Sequence, residues 1–188
     1  LAPTFFIDRA DLEARYRDRQ RHTHPDRFSR APASERAEVL RRATDLNDAY
    51  RVLKSDMRRA EYLLLLHGID LREETEQAGG VRRTLSPMFL ADVLELREAL
   101  QDARHANDEA AIAAVARDIA GRMEEENRRL AAGFAQLEGA LSAGAQADEK
   151  AGAQASPEVL ATLADALLRQ RYYQRFVDEI SAHEEASH

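Results

Sequence analysis

Apolar residues recur along this chain at three- and four-residue spacing and almost never in strict alternation, so the elements it predicts are helices. Leu12 and Tyr16 lie four apart in an Arg-rich segment from about Asp8 to His22, which Pro25 closes because proline disfavours helical dihedrals at the residue before it. Ser34, an N-cap residue type with a glutamate close behind it, predicts the start of a second helix, on which Val39, Leu40, Ala43, Leu46, Tyr50 and Leu53 form the apolar side. A third helix carries "MRRAEYLLLLHG", with Gly68 as a natural C-cap. Residues 69–84 are polar and glycine-bearing and read as a connection.

The second half opens with equally local punctuation. Ser86-Pro87 supplies an N-cap and a proline at the first helical position, starting a helix to about Arg104. After a turn at Asn107, a long helix from about Asp108 to Leu141 carries Ile112, Val115, Ile119, Met123, Leu130, Phe134 and Leu137 on its apolar side. Residues Gly139 to Pro157 are an Ala/Gly/Gln-rich stretch expected to form a flexible insertion, and Ser156-Pro157 opens a last helix to about Ala182. The expected architecture is all-α: a first domain over 1–70, a linker over 71–84, and a three-helix bundle over 85–188 that contains the insertion at 139–157.

Composition agrees with helices: charged residues make up 32% and aromatics 6%, with Ala, Leu, Arg and Glu dominating. The formal charge of −7 divides unevenly. Residues 1–70 hold 14 Lys and Arg against 12 Asp and Glu, or +2, and residues 71–188 hold 13 against 22, or −9. An acidic chain whose basic part is itself rich in carboxylates is a poor match for phosphate-backbone binding, so no nucleic-acid partner is expected. With no cysteine there are no disulfides, thiolate metal sites or cysteine nucleophiles. The apolar run Tyr62 to Leu66 is far below the roughly 20 residues that span a bilayer. A cytoplasmic monomer with no membrane contact is the expectation.

The densest chemistry is "HTHPDRF", His22 to Phe28. His22, His24 and Asp26 spell H-x-H-x-D, which resembles the opening of the metal-binding signature of metallo-β-lactamase-type hydrolases. Here Arg27 stands where that signature has a second histidine, the context is helical, and His67, His105, His183 and His188 lack ligand spacing. A catalytic zinc needs about three protein ligands, so the expectation is no metal at all. No G-x-S-x-G elbow or glycine-rich phosphate loop accompanies His24.

A different context fits better. His24-Pro25-Asp26 follows an Arg-rich helix with Tyr16 eight residues upstream of His24 and precedes a longer helix bearing "LNDAYRVL", Leu46 to Leu53. This arrangement resembles the J domain of DnaJ-type co-chaperones. "RAEYLLLLHGID", Arg59 to Asp70, and "LELREAL", Leu94 to Leu100, then follow in the order found in the HscB family of iron-sulfur cluster assembly. The resemblance covers essentially the whole chain, and the family's short first helix would lie upstream of Leu1. Arg19 and Thr23 stand where many J domains have a leucine and an aromatic, which predicts an α-helix that buries less than usual.

The resemblance implies that His24, Pro25 and Asp26, with Arg15, Arg17, Arg19, Arg21 and Arg27, engage a DnaK-type ATPase chaperone, in this family HscA. Proline fixes its own φ and restrains its neighbour, which lowers the entropy lost on docking. Alternate residues on a helix lie about 200° apart, so only some of the arginines meet one surface at once. On the helix from Pro87, Val93, Leu96 and Leu100 are candidate core, whereas Leu90, Leu94, Glu95, Glu98 and Asp102 share another side. The resemblance assigns that side, as Leu90, Ala91, Leu94, Glu95, Glu98 and Asp102, to docking the iron-sulfur scaffold IscU, with Tyr172 of the last helix beside it. Ala91 replaces a larger apolar residue and Asp102 shortens a glutamate. The implied function is a co-chaperone that stimulates HscA and delivers IscU, with no cofactor or catalysis of its own. A general J-domain protein with another client shares the His-Pro-Asp segment, and a zinc hydrolase on His22, His24 and Asp26 is the remaining alternative.

Overall fold

The computed structural model describes residues 3–23, 28, 31–71, 77–78, 81–82, 85–147 and 155–186. Among the described residues six α-helices carry the fold: α1 (Arg9–Thr23), α2 (Ala33–Lys54), α3 (Asp56–Leu66), α4 (Pro87–His105), α5 (Glu109–Ala147) and α6 (Pro157–Ala186). The expected all-α class is therefore observed. The only strands among the described residues are two-residue pieces, β1 (Gln77–Ala78) and β2 (Val81–Arg82), paired antiparallel with Gln77 opposite Arg82. The chain divides into compact units at Leu1–Leu63 and Leu64–His188, a division that falls inside α3. The sequence placed the boundary at 70/71, after the end of that helix.

Local signals in the second unit work as the residues suggest. The Ser86 hydroxyl accepts a hydrogen bond from the Phe89 amide at 3.2 Å, satisfying one orphan donor of α4 beside Pro87. Gly68 ends α3 at φ +81° and Asn107 turns the chain at φ 51°, the left-handed region that Gly tolerates fully and Asn better than most. Two expected boundaries need correcting. Ser34 is not the cap of α2: Pro32 holds the N-cap position with no side-chain hydrogen bond, and the Arg36 amide closes the first turn on the Pro32 carbonyl at 3.0 Å. The insertion expected from Gly139 is helical as far as Ala147, because the run is alanine-rich and alanine outweighs an occasional glycine in helix propensity. Residues 148–154 lie outside the described residues.

The first unit has a thin core. No residue of α1 is buried: Leu12, Tyr16 and Thr23 are half-buried and Arg19 is exposed, and Val39 is the buried residue of α2. What joins the two helices is aromatic: Tyr16 stacks on Tyr50 with ring centres 3.9 Å apart, and its hydroxyl donates to Asn47 Oδ1 at 2.8 Å. A second fastening lies at the α2–α3 corner. Arg59, only 4% exposed, donates from Nε to the Phe5 carbonyl at 2.7 Å, and from its terminal nitrogens to the Leu53 carbonyl and the Asp56 carboxylate. Its guanidinium carbon lies 4.9 Å from the centre of the Phe5 ring. Burial works against ionisation of Asp56, but Arg59 and Arg9, the latter at 2.8 Å, hold its carboxyl below the usual carboxylate range.

The second unit is deeper. Phe89, Val93, Leu96 and Leu100 of α4 pack in one buried cluster with Ile119 of α5 and Tyr173, Phe176 and Ile180 of α6. Farther along, Leu130, Phe134 and Leu137 are buried on α5 and Leu160, Leu163 and Leu167 on α6. Gly133 permits this approach, since a Cβ there would meet Leu163 Cδ2 at 2.7 Å. The Arg171 guanidinium donates to the Leu71 carbonyl at 3.1 Å, tying the connection after α3 to α6.

One charge is built into this interior. Glu126 is 4% exposed; its Oε1 accepts from Arg129 at 3.0 Å and lies 3.8 Å from Arg169, while Oε2 has no hydrogen-bond partner among the described residues. Burial pushes its carboxyl above the ordinary carboxylate range, against the pull of Arg129 and Arg169.

Two stability predictions follow from these interiors. Arg59→Met keeps much of the side-chain volume but strands the Phe5 and Leu53 carbonyls, and should lower the stability of the first unit by about 2–4 kcal/mol in urea titrations. Arg9→Met, which removes only an exposed partner of Asp56, should cost less than about 1 kcal/mol, and equal losses in the two variants would refute the latch. For Glu126 the raised folded-state pKa means its favourable contribution is complete below the ordinary carboxylate pKa, roughly 4.3, and is lost as pH rises through the folded value. Glu126→Gln should therefore match wild type near pH 3 and be the more stable protein at pH 7. Arg129 and Arg169 retain Glu125 at 2.5 Å and Asp165 at 2.7 Å, so neither is left unpaired. Denaturation of both proteins across pH 3–8 checks the sign, and a less stable variant at pH 7 would contradict it.

Candidate functional site

The outer side of α4 is the strongest candidate surface. Phe89, Val93, Leu96, Leu100 and Ala103 occupy its buried stripe, which uses the helix face available to a three-helix bundle. Leu90 and Leu94 point elsewhere and are 47% and 56% exposed, and Ala91, Glu95, Glu98 and Asp102 are exposed with them. Two solvated leucines a helical turn apart, edged by three carboxylates, form an apolar strip with an acidic flank. The sequence expectation placed Val93, Leu96 and Leu100 inside and this strip outside, and the structure arranges them that way.

Tyr172 lies where the strip meets α6. It is half-buried, with its ring edge-to-face against Phe89 at 5.8 Å. Phe89 also meets Tyr173 at 5.4 Å and carries the Arg169 guanidinium 5.3 Å from its ring centre. Tyr172 and the α4 strip thus share one rigid support.

Two features of this surface were not drawn from the sequence. Met88 is 73% exposed and precedes Ala91, Glu95, Glu98 and Asp102 at helical spacing, so extending the pattern back one turn would have found it. Arg97 lies 6.0 Å from the Tyr172 ring centre and 5.5 Å from that of Phe176, and pairs with Glu179 at 3.4 Å. Its partners are all on α6, roughly 80 residues away, and no pattern within α4 announces them.

On α1 the arginines are exposed and mostly occupied within the helix. Arg15 pairs with Asp11 at 2.8 Å, Arg17 with Glu13 at 2.5 Å and Arg21 with Asp18 at 3.1 Å. Arg19 has no ion pair among the described residues. The hydrogen bond from Arg17 holds the Glu13 carboxyl below its usual range, and Asp11 does the converse for Arg15. Exposed pairs of this kind are screened by solvent and weak, so an incoming anionic surface exchanges them readily.

His24, Pro25, Asp26 and Arg27 lie outside the described residues, in the connection between α1 and α2. The His22 ring, at the end of α1, is hydrogen-bonded through Nδ1 to the Asp18 carbonyl at 2.8 Å. Among the described residues no group of three or more His, Asp or Glu is placed to hold a metal ion, and no helix is long and apolar enough to cross a membrane.

Comparison with known proteins places this geometry. Residues 85–181, more than half of the 188, match the family described as the HSCB C-terminal oligomerisation domain. A co-chaperone protein HscB homologue from Shewanella sp. (strain W3-18-1) is 44% identical over 107 residues, which is 57% of this chain and 58% of that relative, so the match spans under two thirds of its length. Two solved structures share the fold. Chaperone HscB from Vibrio cholerae aligns with a TM-score of 0.68 and 29% identity over 99% of this chain and 94% of its own. Human co-chaperone protein HscB gives a TM-score of 0.75 and 25% identity over 97% of this chain and 78% of its own. The bundle with its exposed α4 strip, and the helical fold shared along nearly the full length with both structures, lead to one assignment: the chain belongs to the HscB family.

Proposed function

We propose that this chain is a co-chaperone that stimulates the ATPase of a DnaK-type chaperone, HscA, and delivers to it the iron-sulfur scaffold IscU. The observation that carries the reading is the pair of exposed leucines, Leu90 and Leu94, held on a well-packed helix beside Tyr172 and flanked by Glu95, Glu98 and Asp102. Stability alone does not place two leucines in solvent on a helix that already buries a full stripe; a partner surface that covers them does. Ala91 presents less apolar surface, and Met88 adds some one turn earlier.

The chaperone-facing part rests on sequence. His24, Pro25 and Asp26 fall between two helices whose first carries Arg15, Arg17, Arg19 and Arg21, with Arg27 following. In this reading the tripeptide biases the chaperone toward the conformation that hydrolyses ATP. The arginines draw an acidic surface into register and act mainly on association rate. Nucleotide, magnesium and cluster stay with the partners, and the work belongs in the cytosol. One chain that binds both partners raises the effective concentration of the scaffold at the chaperone.

Single-turnover ATP hydrolysis by HscA, with and without IscU, tests both halves. His24→Gln should abolish stimulation while leaving scaffold affinity unchanged. Leu94→Ala/Glu98→Ala should weaken scaffold binding about 10- to 100-fold, as expected for loss of a central apolar anchor and its charged neighbour, and spare stimulation measured without scaffold. Wild-type stimulation by His24→Gln would overturn the chaperone half, and undiminished scaffold affinity in the double variant would overturn the other.

A further inference from the structure

Arg97 is a cation on a surface otherwise read as apolar and acidic. It neighbours Glu95 and Glu98 in sequence, yet no ion pair to either is present; its partner is Glu179 of α6 at 3.4 Å. The guanidinium lies against two rings at once, 6.0 Å from the centre of Tyr172 and 5.5 Å from that of Phe176. Phe176 is buried in the bundle core and cannot move independently of it, so Arg97 spans a fixed ring and a half-exposed one. Tyr172 also meets Phe89, which is buried, with ring centres 5.8 Å apart and the two planes perpendicular. The Tyr172 ring therefore contacts both Phe89 and a guanidinium that Glu179 and Phe176 hold in place. A planar guanidinium suits this position because it stacks on a ring face while its in-plane N–H groups reach a carboxylate, which an ammonium does not do.

We propose that Arg97 is a positioning residue of the α4 docking face: fixed by Glu179 and Phe176, it holds the Tyr172 ring in the orientation that a docking partner meets. The proposal rests on the docking function given to this face above and deepens it. Pairing with Glu179 has a second effect, which is to balance the arginine charge inside the chain. Glu95, Glu98 and Asp102 then set the sign of the surface, and the partner segment that fits is aliphatic with basic flanks. Removing Glu179 should harm docking twice, by loosening the guanidinium and by exposing its charge to a basic partner.

The test uses the full chain and the IscU scaffold, with affinity by calorimetry, ring resonances of tyrosine-labelled protein by NMR, and thermal melting as a control for folding. Arg97→Ala should weaken binding about fivefold, the scale of a cation–π contact at a partly exposed site. Arg97→Lys should weaken it comparably, because it preserves charge and not the planar stack. Both should shift the Tyr172 ring resonances in the free protein and leave the melting temperature within a few degrees of wild type. In a Tyr172→Ala background, Arg97→Ala should have no further effect on affinity. Arg97→Ala binding as tightly as wild type, full rescue by lysine, unmoved Tyr172 resonances, or a loss that persists undiminished without Tyr172 would each overturn the proposal. A wild-type chain that fails to bind the scaffold would instead bring down the docking function on which it rests.

Discussion

The contact of Phe89 with its surroundings fixes how α4 is presented. A helix on the edge of a three-helix bundle can bury one stripe, and the choice of stripe decides which residues remain for other purposes. Phe89 makes that choice at the start of α4: Tyr172 and Tyr173 meet it edge-on, Arg169 covers its face, and the Ser86 cap sets the helix entrance three residues earlier. Val93, Leu96 and Leu100 follow inward at helical spacing, which forces Leu90 and Leu94 outward. Exposure of those leucines is thus a consequence of the core and needs no strain or rearrangement of the helix.

The two units reach stability by different means. The second buries large side chains from three long helices, and its one buried carboxylate among the described residues, Glu126, is flanked by two arginines that also hold other acids. Such a network is weak evidence for stability, since a buried charge loses hydration before it gains partners. In the first unit α1 buries nothing fully, so the α1–α2 pair relies on one stacked tyrosine pair with its Tyr16–Asn47 hydrogen bond, and the N-terminal segment on Arg59. Directional contacts of this kind specify geometry with little apolar area, which suits helices whose outward residues are reserved for charge.

What the residues disclosed in advance was what is encoded locally. Gly68, Asn107 and Ser86-Pro87 each act within a few positions of themselves, and the structure places each as its chemistry dictates. The inward and outward sides of α4 were legible for a related reason, since helical spacing alone separates Val93, Leu96 and Leu100 from Leu90 and Leu94. The start of α2 differs from expectation: Ser34 is a better cap by type than Pro32, yet proline lacks an amide to leave unsatisfied and its φ suits the entry. The end of α5 lies beyond its expected place because the alanines of a glycine-bearing stretch carry the helix to Ala147. Arg59 and Arg97 stand in the quoted blocks "RAEYLLLLHGID" and "LELREAL", yet nothing local shows what either side chain touches. Each gains its meaning from partners distant in sequence, Phe5 for the one and Tyr172, Phe176 and Glu179 for the other, and a charged residue on a helix reads as solvated until those partners are known.

The same reasoning changes how the arginines of α1 are understood. Counted along the sequence, Arg15, Arg17, Arg19 and Arg21 form a basic segment; placed on the helix, Asp11, Glu13 and Asp18 neutralise three of the four at 2.5 to 3.1 Å. The helix therefore projects a weaker positive field than its composition suggests. Exposed i,i+3 and i,i+4 pairs are nevertheless cheap to break, so an acidic surface exchanges one carboxylate for another with little net change in energy. Affinity gained this way is small, and specificity comes from geometry: only a surface whose carboxylates match the two sides of the helix, Arg15 and Arg19 on one and Arg17 and Arg21 on the other, displaces several internal partners together. Charge on α1 then acts as a filter on the approach of a partner, while the binding energy has to come from side chains that bury themselves on contact.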